Sequence, residues 1–68
     1  MTRTPVKSSN VVSVGHCPDS KRLHIEFANG VYEFDGVSAD QHRELMAAES
    51  KGKHFHQFIK GKFASRKL

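Results

Sequence analysis

With 68 residues the chain has room for one domain and one modest core, and a chain this short buries only about 60% of the surface its unfolded form exposes. The single cysteine, Cys17, excludes an internal disulfide, and the chain has neither the roughly 20-residue apolar run of a membrane helix nor a signal-peptide opening, so a cytoplasmic protein without a membrane partner is expected. The net charge of +4 comes from eleven Lys and Arg against seven Asp and Glu, and every acid lies between Asp19 and Glu49, leaving a basic C-terminal quarter.

Residues 1–10 (MTRTPVKSSN) are polar, contain Pro5 and a Ser-Ser-Asn cluster, and read as a loose lead-in. The hydroxyls of Ser8 and Ser9 suit backbone caps or a ligand phosphate. Val11–Cys17 reads as a first strand, with Val12 and Val14 directed to the core and Ser13 away from it. Gly15 within it suggests a bulge or a close backbone approach. Pro18-Asp19-Ser20-Lys21 is a turn leading into the clearest signal of the chain, Leu23–Asp35 (LHIEFANGVYEFD).

There two runs of β-branched and aromatic residues flank Asn29-Gly30, the dipeptide favoured where a type I′ hairpin needs positive φ at both central positions. A two-residue Asn29-Gly30 loop sets Ala28 opposite Val31, Phe27 opposite Tyr32, Glu26 opposite Glu33 and Ile25 opposite Phe34. Leu23, Ile25, Phe27, Tyr32 and Phe34 then share one face, and His24, Glu26, Glu33 and Asp35 the other. His16 and His24 are expected as cross-strand neighbours.

Ser38 with Gln41 forms a capping box at the start of a helix over about 39–49, with Asp40 in its first turn and Leu45 and Met46 on its inner stripe. Ser50-Lys51-Gly52-Lys53 breaks the pattern and caps a second helix over about 52–60, where Phe55, Phe58 and Ile59 form an apolar stripe ended by Gly61. Phe63 returns to the core, and residues 64–68 read as a frayed basic tail. The predicted fold is α+β: one domain over residues 1–68, a three-stranded antiparallel β-meander with two C-terminal helices packed on one face.

The aromatic pair Tyr32 and Phe34 has the two-residue spacing on which RNA-recognition sheets stack bases. Their face, however, carries five large apolar side chains in a chain that needs all of them inside, so both rings are assigned to the core. The opposite face, with Glu26, Glu33 and Asp35, would repel phosphates. The nucleic-acid site is therefore expected in the C-terminal quarter: Lys51, Lys53, Lys60, Lys62, Arg66 and Lys67, the backbone around Gly52, and Ser8 and Ser9 nearby. Contacts to about four to six phosphates imply a slope of about −3 to −5 in log K against log salt.

The alternative partner is another protein or a second copy, paired through a free sheet edge. No metal or cofactor site is predicted: His54 and His56, two apart on a helix, diverge by about 200°, and zinc spacings are missing. Catalysis is not predicted either. Cys17 and His16 are adjacent on a strand and point to opposite faces, and the chain has no nucleophile elbow, P-loop or dinucleotide fingerprint.

Taken together the residues resemble the KTSC domain, a small bacterial module that stands alone or at the C-terminus of some lysyl-tRNA synthetases. The resemblance is carried by Ser8-Ser9-Asn10 before Val11–Gly15, by the family's Tyr-x-Tyr as Tyr32-Glu33-Phe34, and by Phe34-x-Gly36-Val37 entering the first helix. Ala48-x-Ser50-x-Gly52 and Phe55…Ile59-x-Gly61-x-Phe63 close the pattern. Phe34 departs from it by replacing the second tyrosine, so any role of that hydroxyl is lost here. The resemblance implies the KTSC fold and, through the synthetase context, RNA as a partner.

Overall fold

The computed structural model describes residues 3–7 and 10–68; Ser8 and Ser9 lie outside the described residues. The chain runs β1 (Thr4–Pro5), β2 (Val11–Cys17), β3 (Arg22–Phe27), β4 (Gly30–Asp35), α1 (Ala39–Ala47), α2 (Lys51–Phe58) and β5 (Ala64–Lys67). The strands form one antiparallel sheet in the order β1-β2-β3-β4-β5, so the predicted three-stranded meander is its centre, extended by one strand at each edge. The supposed tail is a strand because it closes the edge of β4: Tyr32 pairs with Lys67, Phe34 with Ser65, and the Leu68 amide donates to the Val31 carbonyl (2.8 Å). Within the lead-in, Thr4 pairs opposite Val14 and Val6 packs against the core.

Both helices cover one face of the sheet. Val11, Val14, Leu23, Ile25 and Phe34 meet Val37, Leu45, Phe55 and Ile59 in one buried cluster, with Tyr32, Phe27, Met46 and Phe63 packed around it. Each fully buried aliphatic side chain stabilises the fold by about 1.5–3 kcal/mol relative to exposure. The Ser38 capping box forms on both sides: the Gln41 amide donates to Ser38 Oγ (3.2 Å) and the Ser38 amide to Gln41 Oε1 (3.0 Å). Ser50 caps α2 through the Lys53 amide.

Three expectations are corrected. The hairpin loop is Ala28-Asn29, closed by Phe27 opposite Gly30, and neither loop residue has positive φ; only Gly30 does, at +140°. Pairing therefore slips by two positions, to Ile25 opposite Tyr32 and His24 opposite Glu33. An even slip leaves every side chain on its predicted face, and it replaces the unfavourable Glu26–Glu33 facing pair with a histidine against a carboxylate. In β2 the bulge lies between Val11 and Ser13, not at Gly15, and the extra residue Val12 is turned out (47% exposed) while Val11 takes the core position. On α2, Phe58 is 52% exposed and rests on His54 (ring centroids 4.6 Å apart). At about 100° per residue it lies about 60° to one side of Phe55, whereas Gly52 and Ile59 lie on the other side and define the buried stripe.

Candidate functional site

Helix α2 packs where the β3–β4 hairpin turns, and aromatic rings make the seam. Phe55 on α2 stands edge-to-face against Phe27 (5.2 Å between centroids) and Phe34 (5.3 Å), and Phe27 against Tyr32 (5.6 Å). These contacts leave two clefts on either side of a shared floor of Phe27, Asn29 and Phe55. The first, about 390 Å³, is walled by Asn10, Gly52 and His56. The second, about 320 Å³, is walled by Tyr32, Lys60, Gly61 and Ser65. Gly52 permits the first cleft its narrow end, since a Cβ there would stand 3.0 Å from Asn10 Nδ2. Tyr32 is packed against the core as expected, yet its hydroxyl reaches the rim and accepts from Asn29 Nδ2 (3.1 Å).

The predicted basic residues divide between the two faces of the molecule. Lys60 lines the second cleft, and Lys67, opposite Tyr32, lays its stem across Gly30, with Cε 2.9 Å from where a Cβ would be. Lys53 shares a face of α2 with His56, three residues on, and Lys62 is exposed in the turn before Phe63. Lys51 donates to the Ala48 carbonyl (3.1 Å) and supports the junction of the helices. No Asp or Glu lines either cleft.

Arg66, one residue from Lys67, projects from the other side of the sheet, as strand alternation requires. Its Nε donates to Glu33 Oε1 (2.9 Å) and its Nη2 ion-pairs with the same oxygen at 2.8 Å, while His24 Nε2–H donates to Oε2 (2.7 Å). Glu33 is only 6% exposed beneath these partners. The His24 hydrogen bond, and then the charges of Arg66 and Arg22, hold its carboxyl below the usual carboxylate range against the opposing cost of desolvation. Ser13 Oγ donates to Glu26 Oε1 (2.9 Å) and Arg22 pairs with Asp35 (3.3 Å) on the same face. Arg66 is thus occupied structurally and does not join the lysines at the cleft.

The histidines separate as well. His16 faces Leu23 rather than His24, donates to the Val37 carbonyl (2.7 Å) and stacks on His42 (4.9 Å, 11° between planes). Burial, and secondarily the nearby His16, push the His42 imidazole below its ordinary value. Hydrogen bonds from Ser20 lower the Cys17 thiol. Among the described residues no three His, Cys, Asp or Glu side chains converge on one point, and no helix is long and apolar enough to cross a membrane. Of the predicted site, Gly52 and Lys60 line the clefts, Lys67 lies opposite Tyr32 and Lys53 follows Gly52 on α2; Tyr32, marked by its spacing from Phe34, joins them there, as do Asn10, Asn29, His56 and Ser65, which no spacing motif announced.

Comparison with known proteins gives one consistent result. Residues 7–63 match the KTSC domain family. A KTSC domain protein from Yersinia pestis, solved by crystallography, superposes with a TM-score of 0.96 at 44% identity, covering 98% of this chain and 96% of that one. An uncharacterised protein of Stutzerimonas stutzeri is 34% identical over 61 residues, spanning 88% of this chain and 86% of its own length. The lysine–tRNA ligase of a Nostoc species is 42% identical over 52 residues, or 75% of this chain but only 9% of the ligase.

Proposed function

This chain belongs to the KTSC domain family, and from that membership and the cleft geometry we propose that it is a non-enzymatic RNA-binding module. The observation that carries the reading is a pair of adjoining, aromatic-floored clefts lined by no acid, with Lys60 in the wall of the second, Lys67 opposite Tyr32 and Lys53 next to Gly52 on α2. Lysines at the rim attract phosphates without reading sequence, while the carboxylates of Glu26, Glu33 and Asp35 lie on the opposite sheet face. The kinship with a segment of lysine–tRNA ligase, an enzyme named for the tRNA it acts on, points the same way. The sheet-edge alternative has less support: β1 is two residues long and contains Pro5, and β5 carries Arg66 and Lys67, the devices that blunt an edge against pairing.

Titrating a fluorescently labelled RNA at two salt concentrations tests the proposal. With Lys53, Lys60, Lys62 and Lys67 each meeting one phosphate, the slope of log K against log salt is about −2.8, from about 0.7 per contact on a single strand. Binding that is absent at low salt, or indifferent to salt, refutes the reading.

A further inference from the structure

We infer that the second cleft takes up a single unstacked base of a single-stranded RNA, with the flanking phosphates held by Lys60 and Lys67. This inference rests on the RNA-binding reading above and assigns its ligand class. At about 320 Å³ the cleft is at the small end of the 300–1,000 Å³ range of small-molecule sites, a size suited to one nucleotide and unsuited to a double-helical groove. Its floor is aromatic, and Phe27 and Tyr32 are half-buried, so each gives ring surface to the cleft as well as to the core. A π face accepts any base by stacking.

The rim adds hydrogen-bonding groups where a base edge would lie. The Asn29–Tyr32 bond uses one Asn29 N–H as donor, which leaves the Tyr32 hydrogen as a donor and the Asn29 carbonyl as an acceptor on the bonded pair. Adjacent donor and acceptor positions are what the Watson–Crick and Hoogsteen edges of an extruded base complement. Ser65 supplies a hydroxyl from β5, next to the lysine that crosses Gly30. A base held in a duplex stack cannot reach this floor, so the cleft selects single strands.

The experiment compares a short labelled single-stranded RNA with the same strand annealed to its complement, against wild type, Tyr32→Leu and Asn29→Ala. Wild type binds the single strand more tightly than the duplex. Tyr32→Leu weakens single-strand binding by about 5- to 150-fold, the effect of removing a base-stacking aromatic, and leaves duplex binding unchanged. Asn29→Ala, at the exposed hairpin tip, weakens it by about 2- to 12-fold and keeps the test decisive if Tyr32→Leu fails to fold. Equal affinity for single strand and duplex, or folded variants that bind the single strand like wild type, overturns the base site while leaving salt-dependent RNA binding intact. Loss of all salt-dependent binding in wild type overturns the RNA reading itself.

Discussion

Arg66 and Lys67 are neighbours in sequence, both basic and both exposed, and they are predicted to behave in opposite ways. Lys67 faces the helix side beside Tyr32, whereas Arg66 is bound to Glu33 on the far side of the sheet. With Lys53, Lys60, Lys62 and Lys67 each meeting one phosphate, the slope on single-stranded RNA is about −2.8, so raising salt from about 50 to 200 mM weakens wild-type binding about 50-fold. Lys60→Gln combined with Lys67→Gln removes two contacts, lowers the slope to about −1.4 and reduces that loss to about 7-fold. Arg66→Gln leaves the slope at its wild-type value and instead lowers the melting temperature, because the largely buried Glu33 loses its ion-pair partner and the hydrogen bond from Arg66 Nε. Fluorescence anisotropy across a salt series, with a thermal melt of each variant, reads both quantities. A slope that falls for Arg66→Gln as it does for Lys67→Gln, or that survives the double substitution, refutes the division of charge between the two faces.

Three further predictions concern the fold that holds the clefts. Leu45→Ala, at a position with no exposed surface, destabilises the protein by about 2–5 kcal/mol in urea unfolding. Ser38→Ala removes the acceptor of the α1 capping box and costs about 0.5–2 kcal/mol in the same assay. Stability decreases as pH falls below 6.5, the ordinary histidine value, because the depressed His42 binds its proton more weakly in the folded than in the unfolded state. A second decline follows below 4.5 as the depressed Glu33 carboxyl is protonated. His42→Gln flattens the first decline and leaves the second, measured as melting temperature against pH.

What the sequence made legible was whatever depends on local chemistry. Ser38 and Gln41 announced a cap that forms as written, and the period-two alternation placed Tyr32 and Phe34 inside even though the loop was misplaced by one residue. An even slip preserves faces, so the core reading survived an error in register. Strand β5 was not legible because Ala64–Lys67 has no apolar alternation; it is extended because the open edge of β4 gives its backbone partners. Read as a tail, Arg66 and Lys67 had no faces and were pooled. The Val12 bulge likewise carries no marker, since three of four residues in Val11–Val14 are valine and any of them fits the core. The clefts depend on how closely α2 approaches the hairpin tip, and Asn10, Asn29 and Ser65, drawn together from three distant segments, had no spacing by which to be found.

Recording amide chemical shifts of the isotope-labelled protein while single-stranded RNA is added shows whether RNA meets this protein at the hairpin–α2 seam. The largest changes are expected at Asn29, Gly30, Tyr32, Lys60, Gly61 and Ser65, with Arg22, His24 and Glu26 on the opposite sheet face unmoved. Changes centred on that opposite face, or none at low salt, would contradict it.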